Sequence, residues 1–207
     1  MKYAVITSLL VAFATPAFAL PSCAPSNRVP VENYPGAKAI NTSNNLVLPA
    51  GKAMAAEGQK ITITGKVLDK NCAPVMNAVV ELWQKNPYGR WILASDADLA
   101  GAEPTFAGTG RTYTDNEGKF VFFTLFPAPA DKRAPFVNVK IQGQGISDFT
   151  TALYFAADKR NDADAVFRKL SEKTRKDISL VVDENEAGEL VGTVEIVLPV
   201  VTPYRSY

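Results

Sequence analysis

The chain has 207 residues, a formal net charge of +1 and no histidine. It therefore lacks the commonest metal ligand and the usual general base at neutral pH, and it cannot build a Ser/His or Cys/His nucleophile system. The balanced charge, with no basic stripe, argues against nucleic-acid binding, and the length suits one domain with its own core.

Residues 1–19 have the pattern of a signal peptide, with Lys2 before a short apolar stretch and small residues near the expected cleavage point. We therefore expect an exported protein, periplasmic or secreted, whose mature chain begins near Leu20. No stretch is long and apolar enough for a comfortable membrane span. A lipoprotein attached through Cys23 is the alternative, because residues 20–23 loosely resemble a lipobox.

Residues 20–59 predict an extended N-terminal arm, because repeated prolines prevent a helix there. In an oxidising compartment, Cys23 and Cys72 predict a disulfide that ties this arm to the following domain. A redox-active or metal-binding pair is the alternative, but the two cysteines lack a CxxC spacing and a third ligand.

Residues 60–207 predict one β-rich domain. Eight segments have the composition or alternation of strands: residues 61–68, 78–83, 111–114, 119–125, 136–141, 150–155, 179–182 and 189–198. Many short strands between Gly and Pro turns predict an all-β fold, a β-sandwich with one short helix and long loops.

Two segments interrupt the strands. Residues 85–110 predict a long loop, and a loop of this length inside a compact domain is usually functional. The apolar spacing within residues 164–175 predicts the one helix, with Asp162 or Asp164 as its N-cap.

Four motifs in order resemble the intradiol ring-cleavage dioxygenases, nearest to protocatechuate 3,4-dioxygenase. Residues 65–86 resemble G-x-V-x-D…P-x-x-x-A-x-V-x-x-W-Q-x-N, and residues 106–120 resemble F-x-G-x-G-R-x-x-T-D-x-x-G-x-Y. Residues 122–127 (FFTLFP) resemble F-x-T-I-x-P, and residues 151–155 (TALYF) resemble T-Q-L-Y-F. The resemblance covers about residues 60–200 and implies the β-sandwich of that family.

The resemblance also implies a ferric ion, held by two tyrosinates and two histidines, that chelates a catechol before oxygen attacks. The four ligand positions are occupied here by Trp91, Ala130, Phe136 and Asn138, and the substrate-side glutamine by Ala152. Indole, methyl and benzyl groups cannot bind Fe(III), and an amide is a weak ligand. We therefore expect no metal and no cofactor. The alternative is a rearranged site of tyrosines and carboxylates, drawn from Tyr88, Asp96, Asp98, Glu103, Tyr113, Tyr154, Tyr204 and Tyr207.

The former pocket has two interpretations. In the first, bulky apolar side chains fill it and stabilise the domain. In the second, it is an apolar cleft for an aromatic acid, with Arg133 and Asn138 as polar contacts beside Trp91, Phe136 and Tyr88. Arg133 keeps the residue type of the family motif, but it follows two charged residues in a turn and is otherwise a solvated charge.

We thus expect an exported, non-catalytic pseudoenzyme that works as a binding or accessory subunit. Its partner would be an aromatic small molecule or a paralogous subunit, and an oligomer fits either. The main alternative is an intradiol dioxygenase that cleaves catecholic aromatics with ferric iron, O₂ and rearranged ligands. A purely structural subunit of an envelope complex is a third hypothesis.

Overall fold

The computed structural model describes residues 22–34, 40–92, 105–199 and 201. The signal-peptide prediction for residues 1–19 lies outside this part of the chain, as do Asp96, Asp98 and Glu103 of the long loop and both tyrosines of the C-terminal tail. The described strands are β1 (Lys60–Leu68), β2 (Val79–Trp83), β3 (Thr109–Tyr113), β4 (Lys119–Leu125), β5 (Phe136–Gly143), β6 (Ile146–Phe155), β7 (Ser179–Glu184) and β8 (Leu190–Val197).

The strands form where apolar and polar side chains alternate. In β1, Ile61, Ile63 and Val67 are buried, whereas Thr62 and Thr64 between them are half-buried on the opposite face. Branched side chains suit this pleated, half-buried surface. The sequence pattern therefore predicts both the strand and the face that it turns to the core.

The eight strands follow the order β3-β2-β5-β6-β7-β8-β1-β4. Only two residue pairs, Tyr154 with Ser179 and Phe155 with Leu180, connect β6 to β7 in parallel, so the sheet divides into two four-stranded halves. Both halves contribute to one buried core. The predicted all-β sandwich of the intradiol type is confirmed.

The segment before β1 closes the gap between the two edge strands. Leu46 N–H donates to the Phe123 carbonyl of β4, and the Leu46 carbonyl accepts from Ala107 just before β3. Arg111 N–H of β3 donates to the Ser43 carbonyl. Leu46 is fully buried in the common core. A domain boundary at residue 60 stays a prediction.

The first part of the N-terminal arm, residues 22–34, runs from the turn after β1 to β6. The predicted disulfide is present: Cys23 is bonded to Cys72, with the two Cα atoms 5.2 Å apart. Farther along the arm, Arg28 donates to the Asp148 carbonyl, and Val29 N–H donates to the Thr151 hydroxyl. These contacts direct the following residues towards the end of β2 and the start of β5.

The helix predicted over residues 164–175 is wrong in extent. The turn Lys159–Ala163 precedes this segment, the segment itself contains a second 3₁₀ turn, Phe167–Lys169, and a six-residue helix α1, Glu172–Asp177, begins within it. Ser171 starts α1, because its hydroxyl accepts from Thr174 N–H, and Leu170 is extended. No helix in the described residues has the length and apolar character needed to cross a membrane.

Candidate functional site

The four positions that the sequence resemblance assigns to iron ligands meet in one place. Trp91, Ala130, Phe136 and Asn138 all line a single small cavity between the end of β2, the start of β5 and the loops beside them. The cavity volume is about 10 Å³, which is about the space of one water molecule. The four residues that the sequence interpretation groups therefore lie around one cavity, and the space between them is nearly filled.

Hydrogen bonds from side chains to the backbone hold the loop that positions Trp91. The buried Asn86 side chain accepts from the N–H groups of Tyr88 and Arg90, each at 3.0 Å. Buried Gln84 donates to the Leu125 carbonyl at 2.8 Å. The Gln and Asn of the W-Q-x-N motif therefore have a structural role here, in shaping the loop after β2.

Glu32 of the N-terminal arm occupies the centre of the site. Its carbonyl accepts from the Trp83 indole N–H at 2.7 Å, and its N–H donates to the Asn138 Oδ1 at 3.2 Å. Its carboxylate lies 3.1 Å from the Lys85 ammonium and 3.6 Å from the Arg133 guanidinium. The arm thus places the charged Glu32 side chain beside this cavity. Nothing in the sequence pattern indicates this contact.

Lys85 is the x of the W-Q-x-N motif, and its side chain is 10% exposed. The ammonium binds the carboxylates of both Glu32 and Asp131, the latter at 2.7 Å, and lies 5.6 Å from the centre of the Trp91 ring. Burial lowers the pKa of Lys85, but the hydrogen bonds to the two carboxylates outweigh it and raise the pKa above its ordinary value. Lys85 is therefore held as a cation in the site.

Arg133 is not a solvated turn charge, because its side chain is only 17% exposed. Its Nε donates to the Asp164 carboxylate at 2.8 Å, and its Nη2 donates to the Tyr154 hydroxyl. The guanidinium also lies over the Phe136 ring, 4.6 Å from the ring centre. Arg133 therefore connects the former pocket to the segment between β6 and β7.

Asp164 is the fully buried acceptor of this network. Besides Arg133, its carboxylate accepts from the N–H groups of Ala134, Val166 and Phe167. Burial raises the pKa of Asp164, but the N–H groups and the guanidinium together outweigh it and hold the pKa below its ordinary value. Asp164 was predicted as a helix cap, and its contact with Arg133 is not visible in the sequence.

Tyr154 is a protonated phenol in this environment. The side chain is fully buried in β6, and burial raises its pKa to about 12 in spite of the nearby Arg133. The other described tyrosines of the rearranged-site alternative, Tyr88 and Tyr113, are 60% and 61% exposed and do not line the cavity.

The side chains at the four positions do not fit a ferric ion. Three of them carry no oxygen, sulfur or free nitrogen donor, and both ends of the Asn138 amide are in use, since its Nδ2 donates to the Trp83 carbonyl at 3.2 Å. Ala152, at the position of the family's glutamine, is buried and pairs with Asn138 across β5 and β6. In the part of the chain that the structure describes, no three His, Cys, Asp or Glu side chains are grouped as metal ligands.

Comparison with known proteins identifies the family. The Dioxygenase_C family, described as dioxygenase, matches residues 36–195. The chain is 32% identical over 145 residues to the protocatechuate 3,4-dioxygenase beta chain of Burkholderia cepacia, covering 65% of this chain and 62% of that one. It is 30% identical over 134 residues to the alpha chain from the same organism, covering 63% and 68%. The dioxygenase domain of a carbohydrate-binding fusion from Streptomyces sp. SirexAA-E superposes with a TM-score of 0.66 at 25% identity, covering 86% of this chain and 100% of that one.

The chain therefore belongs to the intradiol ring-cleavage dioxygenase family, as the four sequence motifs predict. The matched stretch spans about three fifths of the length of the beta chain.

Proposed function

We propose that this protein is a non-catalytic member of the intradiol dioxygenase family that works as a binding or accessory subunit. The observation that carries the proposal is the position of Glu32, which lines the same small cavity as the four positions and whose carboxylate faces Lys85 and Arg133. Two cations already lie at this position. A ferric ion beside them would be repelled and would have to compete for one carboxylate.

The remaining polar groups of the site are also fully used within the chain. Lys85 has two carboxylate partners, and Arg133 has Asp164, Tyr154 and Glu32. Among the described residues of the site, the charged groups are therefore bound to one another and are not free to activate oxygen or a catechol. The site is therefore suited to hold the arm in place.

As the partner we favour a paralogous subunit over an aromatic acid. A drug-sized ligand needs a cavity of roughly 300 Å³ or more, whereas the space here is about 10 Å³. An aromatic acid would have to displace Glu32 from Lys85 and Arg133. The names of the two Burkholderia cepacia relatives describe an alpha and a beta chain of one dioxygenase, which supports a subunit role.

We further propose that the protein is exported to the periplasm or secreted. The Cys23–Cys72 disulfide supports an oxidising compartment.

Iron content and ring cleavage test the proposal directly. The protein, purified before and after incubation with ferric iron, is analysed for metal and for the red absorption of tyrosinate-bound iron, and oxygen uptake is followed with catechol and protocatechuate. Protocatechuate 3,4-dioxygenase, prepared in parallel, is the positive control. We expect far less than one iron per chain and no cleavage. One iron per chain together with ring cleavage would overturn the proposal in favour of a dioxygenase with rearranged ligands.

The partner is tested by purifying the tagged protein from its own cells. A histidine-bearing paralogue that co-purifies at a fixed ratio, identified by mass spectrometry, is the expected result. A protein that is isolated without a paralogue and binds benzoate or protocatechuate in titration calorimetry would contradict the subunit role and support a small-molecule partner.

A further inference from the structure

Both methionines that the structure describes lie on the surface. Met54 is 73% exposed and Met76 is 55% exposed, and the core of the described residues contains no methionine. Methionine is ordinarily among the more buried residues, because its flexible thioether fills gaps in a core. The chain has three methionines in all, and the third, Met1, lies outside the described residues. Neither described thioether is therefore sheltered in the core.

Met54 lies in a loop of exposed residues before β1. The base of this loop is closed by Ala56 N–H, which donates to the Val47 carbonyl at 2.7 Å. Residues 50–55 are all exposed, and the residues on either side of Met54 are alanines. Alanine side chains are too short to cover a neighbouring thioether. The Met54 side chain is thus open to small solutes.

Met76 lies in the turn between β1 and β2. On one side of it, Val75 N–H donates to the Val67 carbonyl at 2.9 Å. On the other side, Asn77 N–H donates to the Thr114 carbonyl at 3.0 Å. The backbone is therefore held on both sides of Met76. Its side chain is exposed in the folded state itself, so that no local unfolding is needed to reach it.

Apart from its methionines, the chain offers peroxide no comparably reactive side chain. Thiolates and thioethers are the groups that peroxide oxidises most readily. The only two cysteines are joined in the Cys23–Cys72 disulfide, so the chain has no free thiol. The Trp83 indole is buried, and its N–H is bound to the Glu32 carbonyl. Peroxide should therefore react first with the exposed thioethers.

We propose that Met54 and Met76 are sites of reversible oxidation by hydrogen peroxide, and that the protein takes up oxygen there without losing its fold. At each site the thioether sulfur attacks one peroxide oxygen, so that an S–O bond forms and the O–O bond breaks. The transferred oxygen passes its proton to the departing hydroxide, which leaves as water. The sulfur is thus oxidised to the sulfoxide and the peroxide is reduced. The new polar group stays in solvent, so the core packing is unchanged.

Exposure also makes the oxidation reversible. Methionine sulfoxide is reduced back to the thioether by methionine sulfoxide reductases, one enzyme for each epimer. Met54 is the more exposed of the two side chains, so we expect it to be oxidised and reduced faster than Met76. Each cycle of oxidation and repair consumes one molecule of peroxide at each site. The two methionines therefore let the folded protein remove peroxide repeatedly.

Timed oxidation of the disulfide-bonded protein with hydrogen peroxide tests the proposal. Mass spectrometry of the intact chain and of its peptides locates the oxygen, and thermal unfolding followed by circular dichroism reports on the fold. We expect one added oxygen at Met54 and one at Met76, at rates within about tenfold of that of N-acetylmethionine. The melting temperature should stay within about 2 °C of its value before oxidation. Methionine sulfoxide reductases should then remove both oxygens.

The matched control is Met54→Leu with Met76→Leu, because leucine keeps the apolar bulk and lacks the sulfur. This variant should melt like the wild type and take up no oxygen at any residue after Met1. Rates at both sites more than about tenfold below that of N-acetylmethionine would overturn the proposal, as would oxidation that falls mainly on tryptophan. A native transition that is lost on oxidation of the wild type but not of the variant, or sulfoxides that the reductases leave in place, would overturn it equally.

Discussion

The carboxylate of Glu32 lies 3.1 Å from the ammonium of Lys85, although the arm and the end of β2 are far apart in the sequence. This contact connects the N-terminal arm to the position where relatives in the family would hold iron. It lies next to Trp83 and Trp91, which are the only two tryptophans of the chain. Intrinsic fluorescence therefore reports directly on whether the arm is in place.

Glu32→Gln should lower the free energy of unfolding by about 1–2 kcal/mol, because a charge-assisted hydrogen bond is replaced by a neutral one. The loss stays moderate since Lys85 keeps Asp131 and Arg133 keeps Asp164. Urea denaturation followed by tryptophan emission measures it. Glu57→Gln is the control, because Glu57 is an exposed acid that forms no ion pair among the described residues. Equal stability of the two variants would show that the Glu32 contact contributes nothing.

Glu32→Ala leaves a gap that matches a small carboxylate. Acetate should bind there between Lys85 and Arg133 and raise the melting temperature of this variant, since a ligand that binds only the folded state stabilises it. At the same ionic strength, chloride should not have this effect, and acetate should leave the wild type unchanged. An acetate effect of equal size in both proteins would mean that it acts elsewhere.

Asp164→Asn should cost about 3–5 kcal/mol, because it leaves the Arg133 guanidinium half-enclosed without its closest carboxylate. The folded-state pKa of Asp164 lies below the ordinary value of 3.8, so its contribution to stability is present above about pH 4 and is lost as the pH falls through the folded pKa. The difference between wild type and variant should therefore be constant from pH 5 to 7 and shrink below pH 4. A difference that grows on acidification would contradict this assignment.

Tyr154→Phe should remove the tyrosine ionisation that occurs at the highest pH in the alkaline titration. The pKa of Tyr154 is raised from 10.0 to about 12, so its contribution to stability is complete below pH 10 and is lost as the pH rises towards 12. Phenolate absorbance near 295 nm should show one tyrosine that ionises after the exposed Tyr88 and Tyr113, and the variant should lack it. An unchanged titration curve in the variant would show that burial does not raise the pKa of the Tyr154 phenol.

The strands could be predicted from the sequence because each carries its own periodic pattern. In β1 and β4 buried and outward residues alternate up to the last residue of each strand, which is buried like the one before it, and the predicted bounds agree within a residue or two. Motif order also groups Trp91, Ala130, Phe136 and Asn138, which line one cavity in the structure. Local pattern is thus sufficient for the sandwich, and that these four positions form a functional site stays a prediction.

Two features could not be predicted, for physical reasons. The helix over residues 164–175 fails because Leu170 is extended and ends the turn that follows Asp164, and Ser171 then begins a separate helix by accepting from Thr174 N–H. The Glu32 contacts join residues separated by 51 to 106 positions, and the arm that carries them has no periodicity. A tertiary contact made by an irregular segment has no local sequence pattern from which it could be predicted.

The disulfide should stabilise the whole fold without holding Glu32 in its site. Replacing Cys23 and Cys72 together by serine should lower the free energy of unfolding by about 4 kcal/mol on the loop-entropy model for a separation of 49 residues. Between the disulfide and Glu32, however, the arm keeps its bonds to Asp148 and Thr151. Native tryptophan emission should therefore match the wild type in the double variant and change in Glu32→Ala. If the double variant shifts the native emission as Glu32→Ala does, the disulfide itself is what keeps the former iron site closed.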